Sequence, residues 1–224
     1  MRGVLVKEYT EFENLTLEEC PRPELGSRHV RIKTQAAGVS FATSLVVAGT
    51  AQAQDELFPN TKEHGRAAIE YRDDAIQFVA AYYYSQRNHD SAWLLIEAGV
   101  STEERMTVHR DAIRLITPDG ETLALATQSA FGRDIARTRR LVQNAAVSRH
   151  DVRSYFNRRP DGEDFRFFRL PGQGTVTDQF VVDRLRAVLG DLFFQAPTGA
   201  WEKGTYMLVL EHDGVRAAVP IELE

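Results

Sequence analysis

Three histidine-aspartate pairs are the residues best suited by type to hold a metal or shuttle a proton: His89-Asp90, His150-Asp151 and His212-Asp213, with His109 two residues before Asp111. Adjacent residues on a strand point to opposite faces, so a neighbouring pair does not readily close on one ion. Each pair also lies in a hydrophilic stretch that reads as a turn, and solvated turn residues are the expectation. No HExxH, GxSxG, phosphate loop or calcium loop occurs. The nearest approach to a dinucleotide-binding turn, Gly172-Gln173-Gly174, has Pro171 before it, no third glycine and no preceding buried strand. Catalytic residues, cofactor and metal ligands are therefore not expected.

A different chemistry is written between residues 128 and 160, where eight arginines (133, 137, 139, 140, 149, 153, 158, 159) face two aspartates, Asp134 and Asp151. Guanidinium forks suit carboxylate and phosphate bidentately, so Arg137, Arg140, Arg149 and Arg153 form a candidate anion-binding set. The bland reading is a solvated helix face. Tyr82-Tyr83-Tyr84 could stack on sugar rings, although alternation favours burying Tyr83 or its two neighbours in the core.

The elements that must carry these residues are mostly strands. Residues 75–84 (AIQFVAAYYY) and 92–100 (AWLLIEAGV) are β-rich runs joined by SQRNHDS, which reads as a hairpin loop. Residues 105–117 and 121–127 read as a second hairpin across Thr117-Pro118-Asp119-Gly120, a type I turn sequence. From about Arg133 to Ala146 glycine and proline are absent and Ile135, Thr138 and Val142 recur at helical spacing, which predicts an inserted helix. DFRFFRL at 164–170 alternates like a strand. Residues 177–190 fit either period, with a strand followed by an irregular turn preferred, and 192–194 reads as a short strand. A closing hairpin pairs 205–211 with 215–223 across His212-Asp213-Gly214; Tyr206, Leu208 and Leu210 share one face, and Pro220 belongs at an edge.

Seven or eight short strands with turn signals between them predict a mainly β fold, an antiparallel immunoglobulin-like β-sandwich with an inserted arginine-rich helix. Trp93 is the candidate buried indole. The closing run GAWEKGTYMLVLEHDGVRAAVPIEL loosely resembles the last strands of secreted bacterial immunoglobulin-like modules, a similarity extending over residues 70–224.

Composition suits one soluble domain: of 224 residues, 43% are hydrophobic and 26% charged. A net charge of −5 argues against a nucleic-acid partner. Residues 36–49 form an uncharged, mostly apolar run, preceded by Arg28, Arg31 and Lys33 and followed by Ala51-Gln52-Ala53, the order of an export signal and its cleavage site. The run is too short for a transmembrane span, which needs ~20 apolar residues. Residues 1–27 carry six glutamates, unlike a signal n-region, so translation from Val30 would give a signal of ordinary shape. The only cysteine, Cys20, precedes the cleavage point. The expected organisation is a leader at 1–53 (signal 30–53), a linker or mature N-terminus at 54–70 and a β-sandwich at 71–224.

A second resemblance covers residues 1–50. MRGVLVKEY, LEECPRPELG and HVRIKTQAAGVSFATSLVVAGT are similar to the opening of the zinc-independent quinone oxidoreductases of the medium-chain dehydrogenase/reductase superfamily. That resemblance implies the first strands of a catalytic domain; Ser40 stands where zinc-dependent relatives place a cysteine, so no catalytic zinc is implied. The sequence thus points to a non-enzymatic periplasmic or secreted β-sandwich that acts in binding or at the cell envelope, with an anionic envelope component or another protein as partner. The alternative is a cytoplasmic NADPH-dependent quinone oxidoreductase relative that retains its N-terminus but lacks the cofactor domain.

Overall fold

In the computed structural model, residues 2–4, 17–19 and 58–224 are described, apart from 89, 148–150, 158 and 161–164. The chain divides into two compact units, Met1–Val39 and Ser40–Glu224. In the first, β1 (Arg2–Val4) pairs antiparallel with β2 (Leu17–Glu19). Cys20 and the expected signal at 30–53 lie outside the described residues.

In the second unit, which strands can hide both faces decides the layering. β3 (Thr61–Glu63), β4 (Ala68–Arg72), β5 (Ile76–Ala81) and β6 (Trp93–Thr102) form an antiparallel meander, and β12 (Arg186–Gln195) pairs antiparallel with the far side of β6. β10 (Arg159–Pro160) adds a short parallel edge to β12. Every residue of β5 and β6 is buried, which fits their near-continuous apolar runs and demands cover on both faces. β3 and the first three residues of β4 fall within the stretch 54–70 expected as a linker.

The inner face is covered by a second antiparallel sheet, ordered β14 (Val215–Leu223), β13 (Gly204–His212), β8 (Ile113–Ile116), β9 (Thr122–Ala124). Phe78, Ile96 and Leu192 of the first sheet share one core with Leu208, Leu210, Val219 and Ile221 of the second. In β14 buried residues alternate with more accessible ones, as a strand with one wet face should. The β13–β14 turn holds Asp213 at φ 48° and Gly214 at φ 79°, the two positive values a tight two-residue hairpin needs. Pro220 sits on β14, at the sheet edge, where its missing N–H costs no ladder bond.

Residues 105–117 are two strands, not one. β7 (Met106–His109) pairs with β11 (Gln179–Val182), a 3-10 turn at Arg110–Ala112 steps the chain sideways, and β8 continues in the second sheet. The β8–β9 connection is the expected turn, with the Gly120 amide donating to the Thr117 carbonyl at 2.9 Å. Residues 177–190 resolve into β11, a turn and the start of β12, which absorbs 192–194.

Aspartates launch three strands of the first sheet. The Oδ1 of Asp73 accepts from the amides of Ala75 and Ile76, that of Asp90 from Ala92 and Trp93, and that of Asp183 from Leu185 and Arg186, at 2.8 to 3.2 Å. Each carboxylate thereby closes the turn that delivers β5, β6 or β12.

The outer face of the first sheet is covered by helices and turns. Beyond the end of β5 rather than in this cover, Ser85–Asn88 of SQRNHDS form a single helical turn, α1, which accepts from the Glu224 amide through the Gln86 carbonyl at 3.2 Å and is anchored because Ser85 donates its hydroxyl to the Leu95 carbonyl at 2.6 Å. α2 (Gln128–Arg133) is capped by the Thr127 hydroxyl, which accepts from the Ala130 amide at 3.1 Å. α3 (Ile135–Val147) follows after a break at Asp134 and buries Thr138, Leu141 and Ala145, one stripe at helical spacing. A 3-10 turn at Val152–Tyr155 completes the cover. Residues 165–170 form no strand: Phe165, Phe167 and Phe168 are buried, but this segment wraps the edge of β12 rather than joining a ladder. Among the described residues no helix is long and apolar enough to cross a membrane.

Candidate functional site

The β6–β12 register places three pairs in successive rows on the outer face: Gly99 opposite Leu189, Glu97 opposite Asp191, and Leu95 opposite Phe193. The first row lies under Phe156, which approaches so closely that a Cβ on Gly99 would stand 2.5 Å from its ring. The third row lies under Phe131 and Phe168, whose rings are 4.9 and 5.0 Å from that of Phe193. Between these aromatic plugs, over the row that carries two carboxylates, a cavity of about 380 Å³ opens.

Glu97 and Asp191 floor this cavity, and Glu97 is only 8% exposed. Val142, Val152, Phe165 and Leu170 contribute apolar wall, while Asp151, Arg153, Arg169 and Gln173 bring polar groups from the covering segments. Like charges directly opposite on a sheet repel, and burial strengthens the repulsion. Neither carboxylate is without a partner. The chemistry on offer is binding of a small molecule with both polar and apolar parts.

Several contacts hold the walls. The Gln128 side chain brackets the main chain of Arg169: its Nε2 donates to the Arg169 carbonyl at 2.8 Å and its Oε1 accepts from the Arg169 amide at 3.1 Å. The Arg110 guanidinium lies over Phe167 and Phe168 and donates to the Ala126 carbonyl. Along the free edge of β12, Phe165 donates its amide to Leu189 at 2.7 Å and Ala126 to Phe193 at 2.9 Å, fastening the strand on either side of Asp191. Trp93 is fully buried, as the sequence suggested, and its indole donates to Asp134 at 2.8 Å, tying the α2–α3 junction to β6.

The Val152–Tyr155 turn is fixed from beneath. His64 Nε2 and Glu70 Oε2 are 2.6 Å apart, and Gln77 Nε2 donates to Glu70 Oε1 at 2.7 Å and to the Tyr155 carbonyl at 2.9 Å. The His64 ring lies 4.3 Å from that of Tyr155. Burial, with Asp151 and Glu70 nearby, pushes the Tyr155 phenol above its ordinary range.

Of the arginines singled out in sequence, Arg153 lines the cavity. Arg137 and Arg140 are exposed on α3, where Arg137 pairs with Asp90 at 3.5 Å and Asp134 at 3.9 Å. Arg149 lies outside the described residues, as do His89 and His150. His212 reaches its neighbour Asp213 at 3.2 Å, and its ring lies 6.1 Å from His109. Among the described residues no group of three or more His, Cys, Asp or Glu is placed to hold a metal. Gly172 and Gly174 adopt positive φ in a loop that brings Gln173 to the cavity. Tyr82 is buried, Tyr84 half-buried and Tyr83 53% exposed.

The Glu97–Asp191 floor is the feature sequence reasoning missed. Its signal was one charged residue in an otherwise apolar run, Glu97 within AWLLIEAGV. No family model, no curated protein and no solved structure matches the chain.

Proposed function

We propose that this chain is a non-enzymatic, exported β-sandwich protein of immunoglobulin-like type that binds a small molecule at the cell envelope. The cavity over Glu97 and Asp191 carries this reading. Its volume of about 380 Å³ lies within the ~300–1,000 Å³ of ordinary ligand pockets, and it combines apolar walls with a few convergent charged groups. The two face-to-face antiparallel sheets support the sandwich. The exposed Arg137 and Arg140 on α3 are suited to an anionic envelope component outside the cavity.

Native mass spectrometry of the protein recovered separately from the periplasm, medium and cytosol of its host tests the proposal. The expected species begins after residue 53, is found outside the cytosol and carries a non-covalent small molecule. A cytosolic, ligand-free chain with Met1 intact would overturn it, and NADPH binding by that species would favour the quinone oxidoreductase kinship instead.

A further inference from the structure

We infer that the cavity is a site for a small zwitterion, an amino acid or short peptide with an apolar side chain. Its ammonium would lie over Glu97 and Asp191 and its carboxylate against Arg153 and Arg169. The inference rests on reading the cavity as a ligand site.

The floor of this space is acidic, and its cover carries both signs, Asp151 together with Arg153 and Arg169. Both floor acids come from the sheet, β6 and β12, whereas both arginines of the lining come from the cover, Arg153 from the 3-10 turn and Arg169 from the phenylalanine-rich segment. The rows above and below the floor are apolar, so the two acids are the charged groups that the sheet itself brings to the space. A carboxylate that already has one partner keeps further lone pairs for an ammonium, since its two oxygens offer about four acceptor sites. On the opposite wall the planar guanidinium suits a carboxylate. Asp151 stands beside Arg153, so the described lining holds more acid than base and disfavours a simple anion. Phe165 and Phe168 also line the space and offer apolar surface to a side chain. A volume near the small end of ligand pockets favours a molecule of amino-acid size over a larger one.

Isothermal titration of the full chain with the common L-amino acids and apolar dipeptides provides the test. The best binder is then compared with its N-acetyl and C-terminal amide derivatives, inorganic phosphate and glucose. Each derivative removes one charge and should bind about tenfold or more weakly, the loss expected of one charge-assisted hydrogen bond. Arg169→Gln should weaken the parent zwitterion to a similar degree and leave the amide derivative unaffected, while Arg140→Gln on α3 changes neither. The ligand series uses the unaltered protein, so it stands even where a cavity variant fails to fold. Equal affinity for the zwitterion and both derivatives overturns the inference. Binding of phosphate or glucose without any zwitterion overturns the ligand class but leaves the cavity a ligand site, and silence from every compound overturns both.

Discussion

Gly99 and Gly190 show how single residues govern this site. A methyl group at Gly99 would stand 2.5 Å from the far edge of the Phe156 ring and 2.6 Å from the end of Leu189, both of which can swing away at some cost. At Gly190 it would stand 2.5 Å from Phe165 Cβ, an atom fixed to a backbone that is itself bonded to Leu189. Overpacking of this kind costs roughly 1–3 kcal/mol. Gly99→Ala is expected within that range and Gly190→Ala at or above its top, read as shifts in the urea midpoint. Equal stability of both variants with the parent would mean that these rings are not seated on the sheet. Gly190 closes the stretch 177–190, which in sequence fits either period. The reason for a glycine there is close approach by a residue 25 positions away, which no local pattern reports.

Among elements, the strands launched by aspartates carry a shared device. Although burial pushes the Asp73 carboxyl up, the amides of Ile76 and Ala75 and the Tyr71 hydroxyl outweigh it and hold the group below the ordinary aspartate range. A depressed pKa contributes stability that is present above the unfolded value of about 3.9 and is lost as pH falls through the folded one. Asp73→Ala should therefore lose about 1 kcal/mol at neutral pH. Asp73→Asn, which retains an acceptor but does not titrate, should show a shallower loss on acidification; an unchanged acid limb would rule out the turn carboxylate as a contributor. Hairpins and the helix near residues 133–146 were legible because period and turn chemistry are local. The step between β7 and β8 was not, since both halves alternate alike and only their partners, β11 and β13, differ. Likewise DFRFFRL alternates as a strand does, yet its phenylalanines are held by contacts around the edge of β12.

At the scale of the molecule, a buried phenol sets an alkaline limit. Burial raises Tyr82 to about 12, against about 10 when unfolded. Between those values the folded state binds more protons than the unfolded one, so stability falls as pH rises through that window, by a total on the order of 2–3 kcal/mol. Tyr82→Phe should flatten this decline in thermal melts taken from pH ~10 to ~12; a parental slope would place the alkaline sensitivity elsewhere. The mainly antiparallel β character was legible from short apolar runs separated by turns, whereas the double burial of β6 became visible only with the cover in place. The Glu97–Asp191 floor belongs to neither half of the sequence alone. It comes into being only when β12 closes against a strand delivered long before it in the chain, and that closure carries an entropic cost. During synthesis the meander from β3 to β6 can assemble while Glu97 still faces no partner strand, so the site is completed by one of the last strands to emerge. A molecule bound there would hold this seam closed, and ligand supply would then bear on how much protein survives as well as on how much is occupied.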